Sequence, residues 1–154
     1  MADELYGDRI LRLSAHIPRL GRLNDAHGTA SRQSKLCGSA VTADVKLDGE
    51  RIADFAHEVE ADALGRAAAA CMAQHVVGKS HDALRALCDA MHAMLEAGGP
   101  PPQGEWAGLA VFESVRAYPE RHASILLTFD ATIAAVENAL EKRIVSSELR
   151  IGKK

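Results

Sequence analysis

The sequence predicts an α+β domain in which helices cover one face of a small antiparallel sheet. Residues 40–47 alternate between apolar and polar side chains, which is typical of a half-buried strand. Beyond residue 62 the pattern changes to alanine-rich and amphipathic runs at helical spacing. A strand region followed by several helices is the order that such a fold requires.

The strand that begins at Ala40 forms half of a predicted hairpin. Asp48 and Gly49 follow it directly, and this pair favours a tight turn because both residue types tolerate positive φ. A second strand, from about Arg51 to Val59, is therefore expected to return antiparallel to the first.

The segments on either side of the hairpin are expected to be helix and loop. Residues 3–14 are mostly helix-compatible, and the prolines and glycines that follow predict a loop up to about residue 34. After the hairpin, an alanine-rich helix is expected between Asp62 and Gly78. The next helix is expected to begin at a cap formed by Ser80.

The C-terminal third is expected to hold one more long helix. A proline-rich break at residues 98–102 and a short helix or turn from about Trp106 to Val115 precede it, and Pro119 suits its first turn. We expect a single domain over residues 1–142. Residues 143–154 form a tail with little apolar surface, which is expected to fray.

Composition and charge argue against several classes of function. Of 154 residues, 47% are hydrophobic and 25% charged, and the formal net charge of −3 does not favour nucleic acid or anionic membrane as a partner. No run of about 18 apolar residues occurs, and the first ten residues lack the apolar core of a signal peptide, so no membrane span or export is expected. Three cysteines, an odd number, then favour free thiols in the cytoplasm or an equivalent reducing space.

The functional interpretation depends mostly on the role of Cys37, which is followed by Gly38 at the entrance to the first predicted strand. Glycine removes bulk beside the sulfur, so Cys37 could be a metal ligand, a sulfur acceptor or a small apolar filler. Asp62 is suited to cap the helix that follows it, and a capping carboxylate can still offer its second oxygen to a metal. His122 and Ser124, at the start of the last helix, are further candidates.

The remaining cysteines and the helical histidines are expected to be structural. Cys71 and Cys88 fall in runs dense in small apolar residues, which predicts that they are buried in the core. His75, His81 and His92 have no partner at metal-ligand spacing. No zinc-protease, Cys-x-x-Cys, phosphate-loop or dinucleotide-binding motif occurs, and no set of nucleophile, acid and base stands out, so an enzyme is not expected.

Three stretches, taken in order, resemble the U-type iron–sulfur cluster assembly scaffolds, the family of IscU, SufU and the N-terminal domain of NifU. They are "LCGSAVTADVKLDGERIADF", "EADALGRAAAACMAQHVVGKSHDAL" and "RHASILLTFDATIAA", and the similarity spans about residues 5–142. The resemblance implies a three-stranded antiparallel sheet with helices packed on it. It also implies a function, because such scaffolds receive sulfur from a cysteine desulfurase, combine it with iron and pass the cluster to acceptor proteins.

The family site has three cysteines, assisted by an aspartate and sometimes by a histidine, and the resemblance keeps one of these cysteines here. The first is Cys37, the second position falls on Asp62, and the assisting aspartate is replaced by Ser39. Cys37, Asp62 and His122 are therefore the implied ligands of an iron–sulfur cluster, of iron or of zinc. Their mixed sulfur, oxygen and nitrogen donors suit zinc or a single iron better than a [2Fe–2S] cluster.

The third cysteine position depends on how the last helix is matched. It falls on Ala123 if "HASIL" is matched to the family's His-Cys-Ser-Ile-Leu, and His122 then matches the family histidine. It falls on Ser124 if the helix is matched through Leu127 and Ala131 instead. In neither register is it a cysteine.

The resemblance leaves three hypotheses for function. The leading one is a divergent scaffold or iron–sulfur carrier without turnover chemistry, whose partners are a cysteine desulfurase and iron–sulfur acceptor proteins. The second is a zinc-binding, SufU-like sulfur acceptor, favoured by the long connection after Asp62 and by Arg121, which suits that branch's Arg-x-x-Cys element. The third is an interaction module that has lost its metal. Two copies, each contributing Cys37, could share one cluster as a homodimer.

Overall fold

The sheet has three antiparallel strands in the order β1-β2-β3, with β2 in the centre. The computed structural model describes residues 7–35 and 38–152, with side chains up to residue 147. Its strands are β1 (Gly28–Gln33), β2 (Ala40–Asp48) and β3 (Arg51–Glu60). The predicted α+β fold is confirmed, including the three strands that the resemblance implies.

The predicted hairpin joins β2 to β3. Asp48 pairs with Arg51, so the loop consists of Gly49 and Glu50, and Gly49 adopts a positive φ of 62°. The hairpin is confirmed, with its turn centred one residue later than the Asp48-Gly49 pair suggests. Asp48 itself closes β2 as a strand residue.

Helices make up most of the remaining described chain. They are α1 (Asp8–Ala15), α2 (Ala63–His75), α3 (His81–Ala97), two 3-10 helices (Gly104–Val115 and Pro119–Arg121) and α4 (His122–Gly152). The Asp62 carboxylate accepts a hydrogen bond from the Gly65 amide at the start of α2, and the Ser80 hydroxyl accepts one from the Ala83 amide at the start of α3. Both predicted helix starts are confirmed, as is the short helix that contains Trp106.

β1 occupies residues for which the sequence predicts a loop. Its sequence, GTASRQ, is polar and lacks the alternation that identifies a half-buried strand. Pairing with β2 and close packing of α4 make it a strand: a Cβ added at Gly28 would lie 2.2 Å from the backbone oxygen of Ala135. The amide of Thr29 also donates to Asn138 Oδ1 at 3.0 Å. The loop prediction for residues 28–33 is therefore wrong.

The core lies between the sheet and the helices. The alternating apolar side chains of β2 are all buried, as their period of two predicts, and α2 adds a nearly continuous run of small buried residues. The apolar stripe predicted for α3 is also buried: Leu84, Leu87, Met91, Met94 and Leu95. These faces meet α4, which packs against β1, β2, α2 and α3.

Asp44, in the middle of β2, anchors the loop before β1 to the sheet. Its side chain is 1% exposed and accepts hydrogen bonds from Arg22 at 2.7 and 3.1 Å, from the Leu23 amide at 3.0 Å and from Thr29 Oγ1 at 2.6 Å. Burial alone raises the pKa of this carboxyl, but the hydrogen bonds outweigh it and hold the pKa below its ordinary value. The carboxylate is therefore charged and fully bonded at neutral pH.

α4 continues further than the predicted domain limit. It runs to Gly152, and the described side chains from residue 143 to 147 are exposed. Residues 119–147 are long and apolar enough, by length and composition, to cross a membrane, but 67% of the apolar window is buried inside the fold, as in the core helix of a globular domain. The domain limit at residue 142 and the fraying of the tail stay predictions.

Candidate functional site

Asp62, at the junction of β3 and α2, is bonded on both carboxylate oxygens. Oδ1 accepts the Gly65 amide at 3.0 Å and the Ser124 hydroxyl at 2.7 Å. Oδ2 lies 3.5 Å from Arg121 Nη1, and the Asp62 side chain is 28% exposed. Asp62 is therefore the helix cap that the sequence predicts, and it also ties the start of α2 to the start of α4.

Two serines complete the cluster around Asp62. Ser39, directly before β2, and Ser124, in the first turn of α4, are each 1% exposed, and their Oγ atoms lie 3.5 Å apart. A Cβ added at Gly65 would lie 2.7 Å from Ser124 Oγ, so a glycine in the first turn of α2 lets α4 approach this closely. Three elements thus bring Ser39, Asp62 and Ser124 together at one end of the sheet.

The contact between Ser124 and Asp62 bears on the two registers left open for the last helix. Ser124 is the residue of that turn whose side chain donates to Asp62. This favours the register matched through Leu127 and Ala131, in which Ser124 takes the third cysteine position. The sequence alone does not decide between Ala123 and Ser124. Which of these side chains faces Asp62 depends on how α4 is rotated about its axis, and spacing along the chain does not give that rotation.

His122 is buried, at 7% exposure, and is engaged with the backbone. Its Nε2 lies 2.9 Å from the carbonyl oxygen of Val115, which can only accept, so Nε2 carries the proton. The other nitrogen, Nδ1, is the one that this arrangement leaves for a metal. A ligand role for His122 stays a prediction, and the hydrogen bond gives the ring a structural role as well.

Cys37 lies outside the described residues, and so does Leu36. The described residues on either side are hydrogen-bonded to each other: the Ser34 amide donates to the Ser39 carbonyl and the Gly38 amide to the Ser34 carbonyl, each at 2.9 Å. Gly38 has a φ of 67°, a conformation that L side chains rarely adopt. Ser39, the second residue after Cys37, belongs to the Asp62 cluster. The role of Cys37 stays a prediction.

Cys71 and Cys88 are buried, at 5% and 4% exposure, as predicted for core residues. Burial raises the pKa of Cys71 to about 11. Burial, and then the neighbouring carboxylate of Asp130, raise the pKa of Cys88 to about 12. Neither thiol is a thiolate near neutral pH, so neither has the reactivity of a sulfur acceptor.

The structure corrects the prediction that His92 has no partner at metal-ligand spacing. Ligand atoms of Cys88, His92 and Asp130 all lie within 4.8 Å of one another. The signal visible in the sequence was the spacing of four residues between Cys88 and His92, which puts both on one face of a helix. Asp130 comes from α4, and no sequence pattern links it to α3.

Comparisons with known proteins agree with the fold. The model of the NifU-like N terminal domain family matches residues 5–125. The chain belongs to this family. The resemblance to the U-type iron–sulfur scaffolds is therefore confirmed.

Individual relatives of this NifU-like domain cover most of its length. The iron–sulfur cluster assembly scaffold protein IscU of Streptococcus pyogenes serotype M1 is 25% identical over 118 residues, which are 76% of this chain and 74% of the relative. The crystal structure of a nitrogen-fixing NifU-like protein (N-terminal) from Brucella abortus is 45% identical, with a TM-score of 0.88 over 92% of this chain and 98% of that one. The putative scaffold protein for the SUF system from Fervidobacterium islandicum AW-1 shares the fold, at 22% identity and a TM-score of 0.80 over 88% of this chain and 99% of that one.

Proposed function

We propose that this NifU-like domain is an iron–sulfur cluster assembly scaffold or carrier that accepts sulfur on Cys37 and binds iron through Cys37 and Asp62. The contact between Asp62 and Ser124 supports this most directly, because the resemblance assigns Asp62 to the second cysteine position and, in one of its two registers, Ser124 to the third. Family membership and the scaffold name of the streptococcal relative agree with it. Iron and sulfur are cargo in this proposal, and the protein has no turnover chemistry of its own.

The sulfur step is a transfer between thiols. The Cys37 thiolate attacks the terminal sulfur of a persulfide on a cysteine desulfurase, and a new S–S bond forms at Cys37. The S–S bond of the desulfurase breaks, and its electron pair leaves on the desulfurase thiolate, which takes up the proton that Cys37 released. Buried Cys71 and Cys88 do not meet the requirement for a reactive thiolate, which leaves Cys37. We place the protein in the reducing cytoplasm, where this thiol stays free.

Asp62 Oδ2 is the proposed second donor to iron. Oδ1 is engaged by Gly65 and Ser124, whereas Oδ2 lies 3.5 Å from Arg121 Nη1, on a side chain that is 41% exposed. A carboxylate is a harder donor than a thiolate, so one chain with Cys37 and Asp62 holds iron more readily than a whole cluster. A complete cluster would then take Cys37 thiolates from two copies.

Metal and sulfide content of protein purified without oxygen tests the proposal. Wild type is compared with Cys37→Ser, and Cys71→Ala is the matched control because it removes a buried thiol instead. We expect iron in wild type and in Cys71→Ala but not in Cys37→Ser. Mixed with a desulfurase and cysteine, wild type should gain the mass of one sulfur atom at Cys37. Equal iron in all three proteins, or no sulfur gain at Cys37, would contradict the proposal.

A zinc-binding sulfur acceptor of the SufU type is the second candidate. The ion pair between Arg121 and Asp62 favours it, since the resemblance matches Arg121 to the arginine of that branch's Arg-x-x-Cys element. The 3-10 helix Gly104–Val115 lies in the long connection that also points to this branch. Zinc without iron in the wild type, with fewer zinc ions per chain in Cys37→Ser, would favour this candidate over a cluster carrier.

A further inference from the structure

A second group of metal-ligand side chains lies between α3 and α4, apart from the Asp62 cluster. Cys88 and His92 are one helical turn apart on α3, and Asp130 faces them from α4. Asp130 follows Ser124 by six residues, which is about 9 Å of helix rise. The ligand atoms of the three side chains all lie within 4.8 Å of one another.

The distance between sulfur and carboxylate already fits a tetrahedral metal. Cys88 Sγ donates to Asp130 Oδ1 at 3.6 Å. With metal–sulfur and metal–oxygen bonds of about 2.3 and 2.0 Å, two ligands of a tetrahedral zinc ion lie about 3.5 Å apart. The imidazole of His92, within 4.8 Å of both atoms, needs to move by roughly 1 Å to complete the same geometry. The apo arrangement is therefore close to that of a bound site.

His92 carries the outer hydrogen bond that metal-bound histidines usually have. Its Nδ1 lies 3.1 Å from Glu96 Oε1, one turn further along α3. A carboxylate on one ring nitrogen fixes the ring and makes the other nitrogen a better ligand. Nε2 is then the nitrogen that would bind the metal.

Charge and access also favour a cation. Cys88 forms the buried floor, while His92 and Asp130 reach solvent, so an ion can enter from the surface. Asp130 also borders a surface cleft of about 230 Å³. Among the described residues, Asp130 has one hydrogen-bond partner, the Cys88 thiol, and no ion pair neutralises the Asp130 carboxylate. Arg32 and Arg85 line the same cleft, and Arg85, the arginine of α3, is engaged with Glu137 at 3.1 Å.

We propose that Cys88, His92 and Asp130 form a second metal site, for zinc or a similar divalent ion, with a fourth position open to water or to a ligand. One thiolate, one imidazole and one carboxylate are donors that zinc accepts, and three protein ligands with an open position are typical of zinc sites that act on a further ligand. On binding, the metal replaces the proton of the Cys88 thiol, which passes to the solvent. This site does not depend on Cys37 or on the proposed scaffold function.

Cobalt substitution in a Cys37→Ser background tests the second site. Co²⁺ is titrated into this protein without oxygen, and a thiolate-to-cobalt absorption band in the near ultraviolet reports a Co–S bond. We expect one Co²⁺ per chain, displaced by Zn²⁺. The band should persist when Cys71→Ala is added and disappear when Cys88→Ser is added. No band in Cys37→Ser alone, or a band that survives Cys88→Ser, would overturn the proposal.

Three surface variants keep the test valid if Cys88→Ser does not fold. Asp130→Asn and His92→Ala should each weaken Co²⁺ binding by at least about tenfold in the Cys37→Ser background. Glu96→Gln, which removes the outer hydrogen bond to His92, should weaken it by about tenfold or more. Unchanged Co²⁺ affinity in both Asp130→Asn and His92→Ala would overturn the proposal regardless of Cys88→Ser.

Discussion

The hydrogen bond between Ser124 and Asp62 should make these two residues thermodynamically dependent on each other. Asp62→Ala removes the acceptor at the start of α2, which costs about 1 kcal/mol. It also leaves the Ser124 hydroxyl, 1% exposed, without its partner at 2.7 Å, at a cost of about 1–3 kcal/mol. The half-exposed Arg121 pair adds less than about 1 kcal/mol. We expect a total loss of roughly 2–5 kcal/mol in the free energy of unfolding.

The coupling is measured with a double-mutant cycle. Ser124→Ala alone should cost about 1 kcal/mol, because it removes one hydrogen bond. The double variant should cost about 1–2 kcal/mol less than the sum, since it has no buried Ser124 hydroxyl that has lost its carboxylate acceptor. Urea unfolding at constant m-value gives the four free energies. Asp62→Asn is the matched control, because asparagine caps helices about as well as aspartate and still offers an acceptor oxygen. Additivity within about 0.3–0.5 kcal/mol would refute the reasoning.

Three further predictions concern the core, the sheet and the thiols. Gly28→Ala should destabilise the fold by about 3 kcal/mol or more, because the alanine Cβ would lie 2.2 Å from a backbone oxygen of α4. A urea midpoint close to that of wild type would contradict this prediction. Burial lowers the pKa of His57, and the hydrogen bond of its Nε2 to a backbone carbonyl offsets this only in part. The unfolded state therefore binds the proton more readily than the folded state. The free energy of unfolding should fall as the pH drops below the ordinary histidine pKa of 6.5. Urea midpoints between pH 5 and 7.5 should show a smaller slope in His57→Gln, and equal slopes would count against the assignment. Cys71 and Cys88, with pKa values of about 11 and about 12, should not react with iodoacetamide in native protein at pH 8 and should react only after denaturation. Mass spectrometry of the peptides measures the labelling, and labelled Cys71 or Cys88 in native protein would contradict the prediction.

Elements with a clear period were predictable from the sequence, and those held by tertiary contacts were not. The hairpin and the caps at Asp62 and Ser80 were predictable because alternation, turn chemistry and capping are local. β1 was missed because residues 28–33 are polar and become a strand only through pairing with β2 and contact with α4. α4 runs past residue 142 to Gly152, and where the domain ends stays a prediction.

The candidate site was predictable only in part, because its arrangement also depends on tertiary contacts. The resemblance brought out Asp62 and left Ala123 and Ser124 open, since spacing along a helix does not say which side chain faces α2. The orientation of His122 toward a backbone carbonyl depends on the 3-10 helix that ends at Val115, which no motif reports. The partner of Cys88 and His92 was missed because Asp130 belongs to a different helix.

Restoring the missing thiolates tests most directly whether Asp62 and Ser124 stand at the family's cysteine positions. Asp62→Cys/Ser124→Cys would give three thiolates together with Cys37, the donors that a [2Fe–2S] cluster prefers. After anaerobic reconstitution we predict near-stoichiometric iron and sulfide and a visible cluster spectrum in this variant, lost when Cys37→Ser is added. Asp62→Cys/Ala123→Cys, which shifts the third thiol by one residue, should hold much less. Equal cluster content in the two double variants, or a cluster that survives Cys37→Ser, would contradict the account.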